Sequence, residues 1–175
     1  RARSFIDQAR RFAGRSNGEE LIQTLRKCEA ELLLQQHQGE AAYRLLITMP
    51  ENAQVLKLLS EAKLLSADYS RCRAFAQAAL RWSGDDDALR ASLFTLIGRS
   101  YEVEGDTEQA WRYFSDALTL LERLDDLYSL ARAETNLAVA LMPLKRYGDA
   151  GLLLSRAEKI QSRLRDRVGL SVTRH

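Results

Sequence analysis

Apolar residues recur along this chain at three- and four-residue intervals, and strand-like alternation never persists beyond a few positions. That spacing places the apolar side chains on one face of an α-helix, so the pattern predicts an all-α chain. Phe5, Ile6, Ala9, Phe12 and Ala13 mark a short helix over 3–13. Leu21, Ile22, Leu25, Cys28, Leu32 and Leu33 mark a longer one over 19–36. The next, over 40–49, stops at Pro50, because the residue before a proline is pushed out of helical geometry. Further helices are expected over 51–65, 70–82, 87–104, 107–124, 127–142 and 146–164. The polar joints are short, as between antiparallel neighbours, and no long linker divides the chain.

The pattern repeats itself. Gly98 stands twelve residues before Ala110, and Ala138 stands twelve before Ala150. Around them run Phe94, Ile97, Tyr101, Gly105-Asp106, Phe114 and Ala117, then Leu137, Leu141, Tyr147, Leu154 and Ala157. Asp85-Asp86 and Asp125-Asp126 mark the same joint forty residues apart. Small residues recur where two helices must approach closely and large ones where they interlock, which is the mark of stacked helical hairpins.

These residues resemble the tetratricopeptide repeat (TPR) family. In the best copy Phe94, Ile97-Gly98 and Tyr101 match the first helix, Gly105-Asp106 the turn, and Ala110, Phe114 and Ala117 the second helix. The next copy keeps Leu137-Ala138, Leu141, Ala150, Leu154 and Ala157. An earlier copy has Leu56, Leu59-Ser60, Asp68-Tyr69, Cys72, Ala76 and Ala79, and departs with Lys63 where Tyr101 stands later. The resemblance implies a right-handed α-solenoid with three hairpins at 53–82, 87–124 and 127–164. Residues 1–50 match poorly and read as divergent helices, with Ala30, Leu33, Ala42 and Leu46 as a degenerate repeat. Residues 166–175 line up with the opening of a first helix and read as the start of a further repeat. The period is about 40 rather than the usual 34. The long form is similar to arrays in MalT-like and antibiotic-regulatory transcriptional regulators of bacteria, in quorum-peptide sensors and in kinesin light chain. It implies a cytoplasmic, bacterial regulatory or signalling protein.

Bulk properties narrow the function. A net charge of +2 with 29% charged residues argues against strong nonspecific attraction to nucleic acid, although 21 of the 26 basic residues are Arg. No run of 18 apolar residues and no signal-peptide core occur, so neither membrane insertion nor export is expected. The chain begins without Met, as a piece of a longer protein would. Cys28 and Cys72 have no metal spacing and are expected to be buried reduced thiols.

Catalytic chemistry is poorly provided for. The histidines are His37, in a polar turn, and His175, the last residue, and neither neighbours a nucleophile and an orienting group. No catalytic residue, cofactor or metal is expected. Asp85–Asp87 fails as a calcium loop, since Arg90 and Leu96 fall where glycine and glutamate are required, and reads instead as helix capping. Glu108 and Arg112 read as a solvated helix pair. Trp111 and Trp82 are expected to pack between hairpins, and Leu118, Leu121 and Leu124 with Leu152–Leu154 to form core.

Function is therefore expected on the concave side, which the first helices of stacked hairpins line. Residues flanking the packing positions there are Gln54, Lys57 and Glu61, then Ser92, Thr95, Arg99 and Glu102, then Arg132, Thr135, Asn136 and Val139. Arg and Asn can hydrogen-bond a peptide backbone or a terminal carboxylate. The leading expectation is a non-catalytic protein- or peptide-binding module. A carboxylate clamp built from Lys57, Arg132 and Asn136 is opposed by Glu61, which would repel the carboxylate. Two other classes stay open: a single-stranded nucleic-acid binder using Arg99 and Arg132, and a structural homodimerisation scaffold.

Overall fold

The computed structural model describes residues 18–124 and 126–164. The expected helix over 3–13 and the expected further repeat at 166–175 lie outside them. The described residues form eight helices and no strand: α1 (Glu19–Gln35), α2 (Gly39–Leu46), α3 (Ala53–Leu65), α4 (Tyr69–Trp82), α5 (Asp87–Glu104), α6 (Thr107–Leu121), α7 (Leu127–Leu141) and α8 (Tyr147–Leu164). Short polar side chains set several starts by accepting orphan backbone N–H groups. Asn52 accepts from Gln54 and Val55, Asp86 from Leu89, Asp106 from Gln109 and Asp126 from Ser129. The aspartates at the joints are thus helix caps. Two boundaries differ from expectation near Pro50: α2 ends at Leu46, and α3 starts only after the Asn52 cap.

The four hairpin turns are one motif. His37, Ala67, Gly105 and Lys145 each adopt a left-handed φ, between 58° and 82°. After each, the next residue's N–H reaches back five positions: Gln38 to Leu33, Asp68 to Lys63, Asp106 to Tyr101 and Arg146 to Leu141, at 2.9–3.1 Å. The left-handed residue itself donates to Leu34, Leu64, Glu102 and Met142 respectively. This is the Schellman closure, which satisfies terminal helix carbonyls. The α1–α2 hairpin closes as the other three do, although its sequence matches the repeat poorly. Only Gly105 is suited to the left-handed conformation, which strains a residue bearing a Cβ. Ala67→Gly is therefore expected to stabilise the chain by about 0.5–1 kcal/mol, relief of strain outweighing glycine's extra unfolded-state entropy. A loss of stability in urea titration would contradict it.

The chain divides into two compact units, one ending at Trp82 and the other starting at Ser83. In the first, α2 packs on both α1 and α3, and α3 packs on α4. Ala30, Leu33, Ala42 and Leu46 are all buried. Gly39 permits the closest approach, since a Cβ there would stand 2.5 Å from the Ala62 carbonyl oxygen. Lys63, the departure from the repeat pattern, is buried at 4% exposure. Its ammonium lies 3.5 Å from the centre of the Tyr43 ring and 3.2 Å from Glu40 Oε2, so the first hairpin supplies the partners that permit its burial. Ser60 Oγ donates to the Cys72 carbonyl at 2.9 Å, tying α3 to α4.

In the second unit α5–α6 and α7–α8 are hairpins, and α6 packs on α7. Phe114, Leu118, Leu121, Leu137, Ala138 and Leu141 lie in one core cluster, and Phe94, Tyr101, Trp111 and Leu124 pack against it. Tyr101 stacks on Tyr113 at 5.7 Å between ring centres.

Several side chains depart from expectation. Cys28 is exposed while Cys72 is buried. The eight-residue α2 can cover only the half of α1 next to the turn, and α1 buries Ala30, Leu33 and Leu34 there. Trp82, expected to pack, is 61% exposed, and Leu152, expected in the core, is 69% exposed. On α8 it is Ala150, Ala157 and Gln161 that face inward, which leaves Leu152 off the buried stripe.

Candidate functional site

The anticipated binding side chains fall in both units. On α3 of the first, Gln54, Lys57 and Glu61 share one face by their three- and four-residue spacing, with Lys57 and Glu61 half-buried. Neither Lys57 nor Glu61 makes a side-chain hydrogen bond or ion pair among the described residues.

On α5, Ser92, Thr95, Arg99 and Glu102 likewise share a face and are all half-buried. Thr95 is self-contained, its hydroxyl donating to the Ala91 carbonyl at 2.9 Å. Burial pushes the Glu102 carboxyl above its ordinary range, and the Arg99 guanidinium only partly offsets this. On α7, Arg132 is exposed and lies 5.7 Å from the Tyr128 ring centre. It also helps hold Asp126 below the usual carboxylate range, an effect led by the hydrogen bond from the Ser129 side chain. Asn136 is half-buried, and its amide has no hydrogen-bond partner among the described residues. Thr135 is the exception on this helix: it is 7% exposed and its hydroxyl is bonded to the Ala131 carbonyl, so little of it is available to a partner.

The available polar groups in the second unit are thus Arg99, Glu102, Arg132 and Asn136, with Val139 exposed beside them. They offer donors to carbonyls and carboxylates, one acidic acceptor and a small apolar contact, the inventory that peptide recognition uses. No cluster of His, Cys, Asp or Glu suited to a metal occurs among the described residues. No helix among them is long and apolar enough to cross a membrane.

Sequence reasoning missed a second polar constellation. Glu134 on α7 is fully buried, with Oε1 in an ion pair 2.8 Å from Arg156 Nε of α8 and neither carboxylate oxygen accepting a well-directed hydrogen bond among the described residues. Arg156 also reaches Glu122, just past α6, at 3.1 Å. Burial raises the Glu134 pKa, Arg156 opposes the rise and Glu122 adds to it. A signal existed: Glu134, Leu137, Ala138 and Leu141 follow the buried-stripe spacing of α7, so a carboxylate stood where an apolar residue belonged.

No protein-family model matches the chain. No curated protein matches it either. Among solved structures it is similar to aspartyl phosphate phosphatase F from Bacillus subtilis, at 18% identity and a TM-score of 0.74 over 87% of this chain and 43% of that one. It is also similar to BtubC (BKLC) from P. vanneervenii, at 19% identity and a TM-score of 0.63 over 98% of this chain and 77% of that one. The chain spans less than half the length of the phosphatase. At such identities the likeness speaks to the fold alone, and together with the four hairpins it shows an all-α, TPR-like helical-repeat fold.

Proposed function

We propose that the chain is a non-catalytic protein- or peptide-binding module of a larger bacterial regulatory protein, and that the second unit binds through the α5–α7 face. One observation carries this reading: Arg99, Arg132 and Asn136 present hydrogen-bonding groups that the fold does not consume. Among the described residues Asn136 has no partner, and Arg99 and Arg132 are engaged only by Glu102 and by Asp126 and Tyr128 respectively. Polar groups with unused donors, half-buried at Arg99 and Asn136 and exposed at Arg132, contribute most when a partner's carbonyls or carboxylates complete them. Helical repeats that stack side by side offer extended surfaces for such contacts. The phosphatase named among the similar structures does not transfer its activity, because function resides in a site rather than a fold. Occupancy of the face would act on an attached output domain by shifting contacts between neighbouring helices.

The test is capture of partners from native bacterial lysate by this chain and by an Arg99→Ala/Asn136→Ala variant, each with and without nuclease. A protein retained through nuclease treatment and bound at least about ten-fold less by the variant is expected, two polar contacts of about 1 kcal/mol each giving more than that factor. Capture that vanishes with nuclease would replace this reading with single-stranded nucleic-acid binding. Undiminished capture by the variant would remove the α5–α7 face from the reading.

A further inference from the structure

The second unit carries a slot on the side of α7 away from Arg132 and Asn136. At 100° per residue, Arg132, Asn136 and Val139 lie roughly opposite Glu134, Leu137 and Leu141 around the helix. Leu137 and Leu141 form the floor of this slot, which has a volume of about 590 Å³ and is walled by Trp111 and Ser115 of α6 and by Leu152 and Leu153 of α8. Both ends are charged. At one, Arg146 lies 5.7 Å from the Trp111 ring centre and holds Asp149 at 2.7 Å; at the other stand Arg156 and Lys159.

We infer that this slot is a docking site for an acidic amphipathic peptide segment, one presenting leucine-type side chains to its floor and carboxylates to its ends. Three features fix that occupant. The slot exceeds what one side chain fills, and it is open to solvent rather than enclosed, as entry of a peptide ridge requires. Leu152, 69% exposed on its wall, is apolar surface that the fold leaves uncovered. The lining itself is weighted to cations, Arg146, Arg156 and Lys159 against Asp149, while Glu122 and Glu134 outside it pair with Arg156. Lys159 makes no ion pair among the described residues. Arg146 keeps, beside its Trp111 contact, an exposed pair with Asp149 that a partner carboxylate can replace. Glu134 beneath Arg156 and Glu122 beside it offset the charge of that guanidinium, so Lys159 is the cation of the slot left for a partner carboxylate. The site does not depend on the α5–α7 face.

The chain has two tryptophans, and Trp82 lies outside the second unit, so a Trp82→Phe protein reports the slot through Trp111 fluorescence alone. It is titrated with an acetylated, amidated peptide of leucine and glutamate at helical spacing, and with the same peptide carrying lysine for glutamate. A saturable blue shift with the acidic peptide is expected, at least about ten-fold weaker with the basic one. Lys159→Glu, an exposed change that leaves the fold intact, is expected to weaken the acidic peptide about five-fold, whereas Arg99→Ala/Asn136→Ala leaves it unchanged. An equal response to both peptides, or none, overturns the inference. So does a Trp111 shift that follows protein concentration without peptide, which would make a second copy the occupant, or a response to decanoate but to neither peptide.

Discussion

Replacing Phe114 with alanine is expected to destabilise the second unit by about 3–5 kcal/mol, the usual penalty for removing a buried aromatic ring. The ring is 1% exposed and sits against Gly98, where a Cβ would come within 2.7 Å of Cε1 and 2.8 Å of Cδ1. Gly98→Ala meets two opposed effects. Alanine favours the helix by about 1 kcal/mol over glycine. Forcing a methyl against an immobile buried ring costs about 1–3 kcal/mol. The ring cannot retreat, because the same core cluster holds Ala110, Ala117, Leu118 and Leu137 at 9% exposure or less. The clash therefore wins, and a net loss of about 1–2 kcal/mol is expected. Equilibrium urea unfolding gives both values. Their combination is the sharper check: in a Phe114→Leu background, Gly98→Ala should become neutral or stabilising, since the nearest ring atom, Cε1, and Cζ are gone and the leucine δ carbons are free to turn aside. A loss of the same size in both backgrounds would mean that the glycine serves something other than the ring.

That pair was written in the sequence as a trade of volumes. Where the first helix has Gly98 the second has Phe114, and forty residues on Ala138 is matched by the smaller Leu154. In the earlier copy Ser60 is matched by Ala76, and the Ser60 hydroxyl uses the space to bond the Cys72 carbonyl. Apolar spacing and these matched sizes made the helices and their pairing legible, because both follow from one chain's periodicity. The turns were legible as breaks in the pattern, but their left-handed residue was legible only at Gly105. His37, Ala67 and Lys145 adopt the same left-handed conformation because two backbone hydrogen bonds per turn hold them there, and no side chain announces it. The candidate face was partly legible. Spacing indicated which flank of α7 carries Arg132 and Asn136, yet Thr135, between that flank and the core, is buried by its neighbours. Cys28 and Trp82 were misplaced for a related reason: apolar spacing identifies a stripe, whereas coverage depends on how far the facing helix extends. The slot and its buried carboxylate depend on three helices meeting, which local pattern reading does not reach.

Glu134 and Arg156 provide the second large effect, with a pH dependence of definite sign. Arg156→Ala leaves a fully buried carboxylate without its cation. Glu134 must then stay ionised in a dry site or take up a proton. Protonation sets the ceiling, since each pH unit above an ordinary glutamate pKa costs about 1.4 kcal/mol, or roughly 3.5 kcal/mol in all at neutral pH. A loss of about 2–3 kcal/mol near pH 7 is expected. Burial already raises the Glu134 pKa in the folded chain, and removing Arg156, which lowers it, raises it further. A carboxyl whose folded pKa lies above its unfolded one binds protons more readily when folded. Its stabilising contribution is complete below the unfolded pKa and is lost as pH rises through the folded value. The Arg156→Ala deficit should therefore be largest at neutral pH and shrink steadily as pH falls towards the ordinary carboxylate range. Glu134→Gln should behave oppositely. It removes a buried charge, keeps an acceptor for Arg156, and leaves a guanidinium that is half-exposed and still paired with Glu122. Its stability near pH 7 should equal or exceed that of the parent, with a flatter pH dependence. The double variant Glu134→Gln/Arg156→Ala should recover most of what Arg156→Ala loses, because the loss comes from the stranded carboxylate rather than from the missing arginine. Urea midpoints at pH 7 and pH 5 and constant ionic strength decide it. If Arg156→Ala loses the same stability at both pH values and glutamine restores none of it, Arg156 stabilises through its packing on α6 and α7 and the buried carboxylate is already neutral.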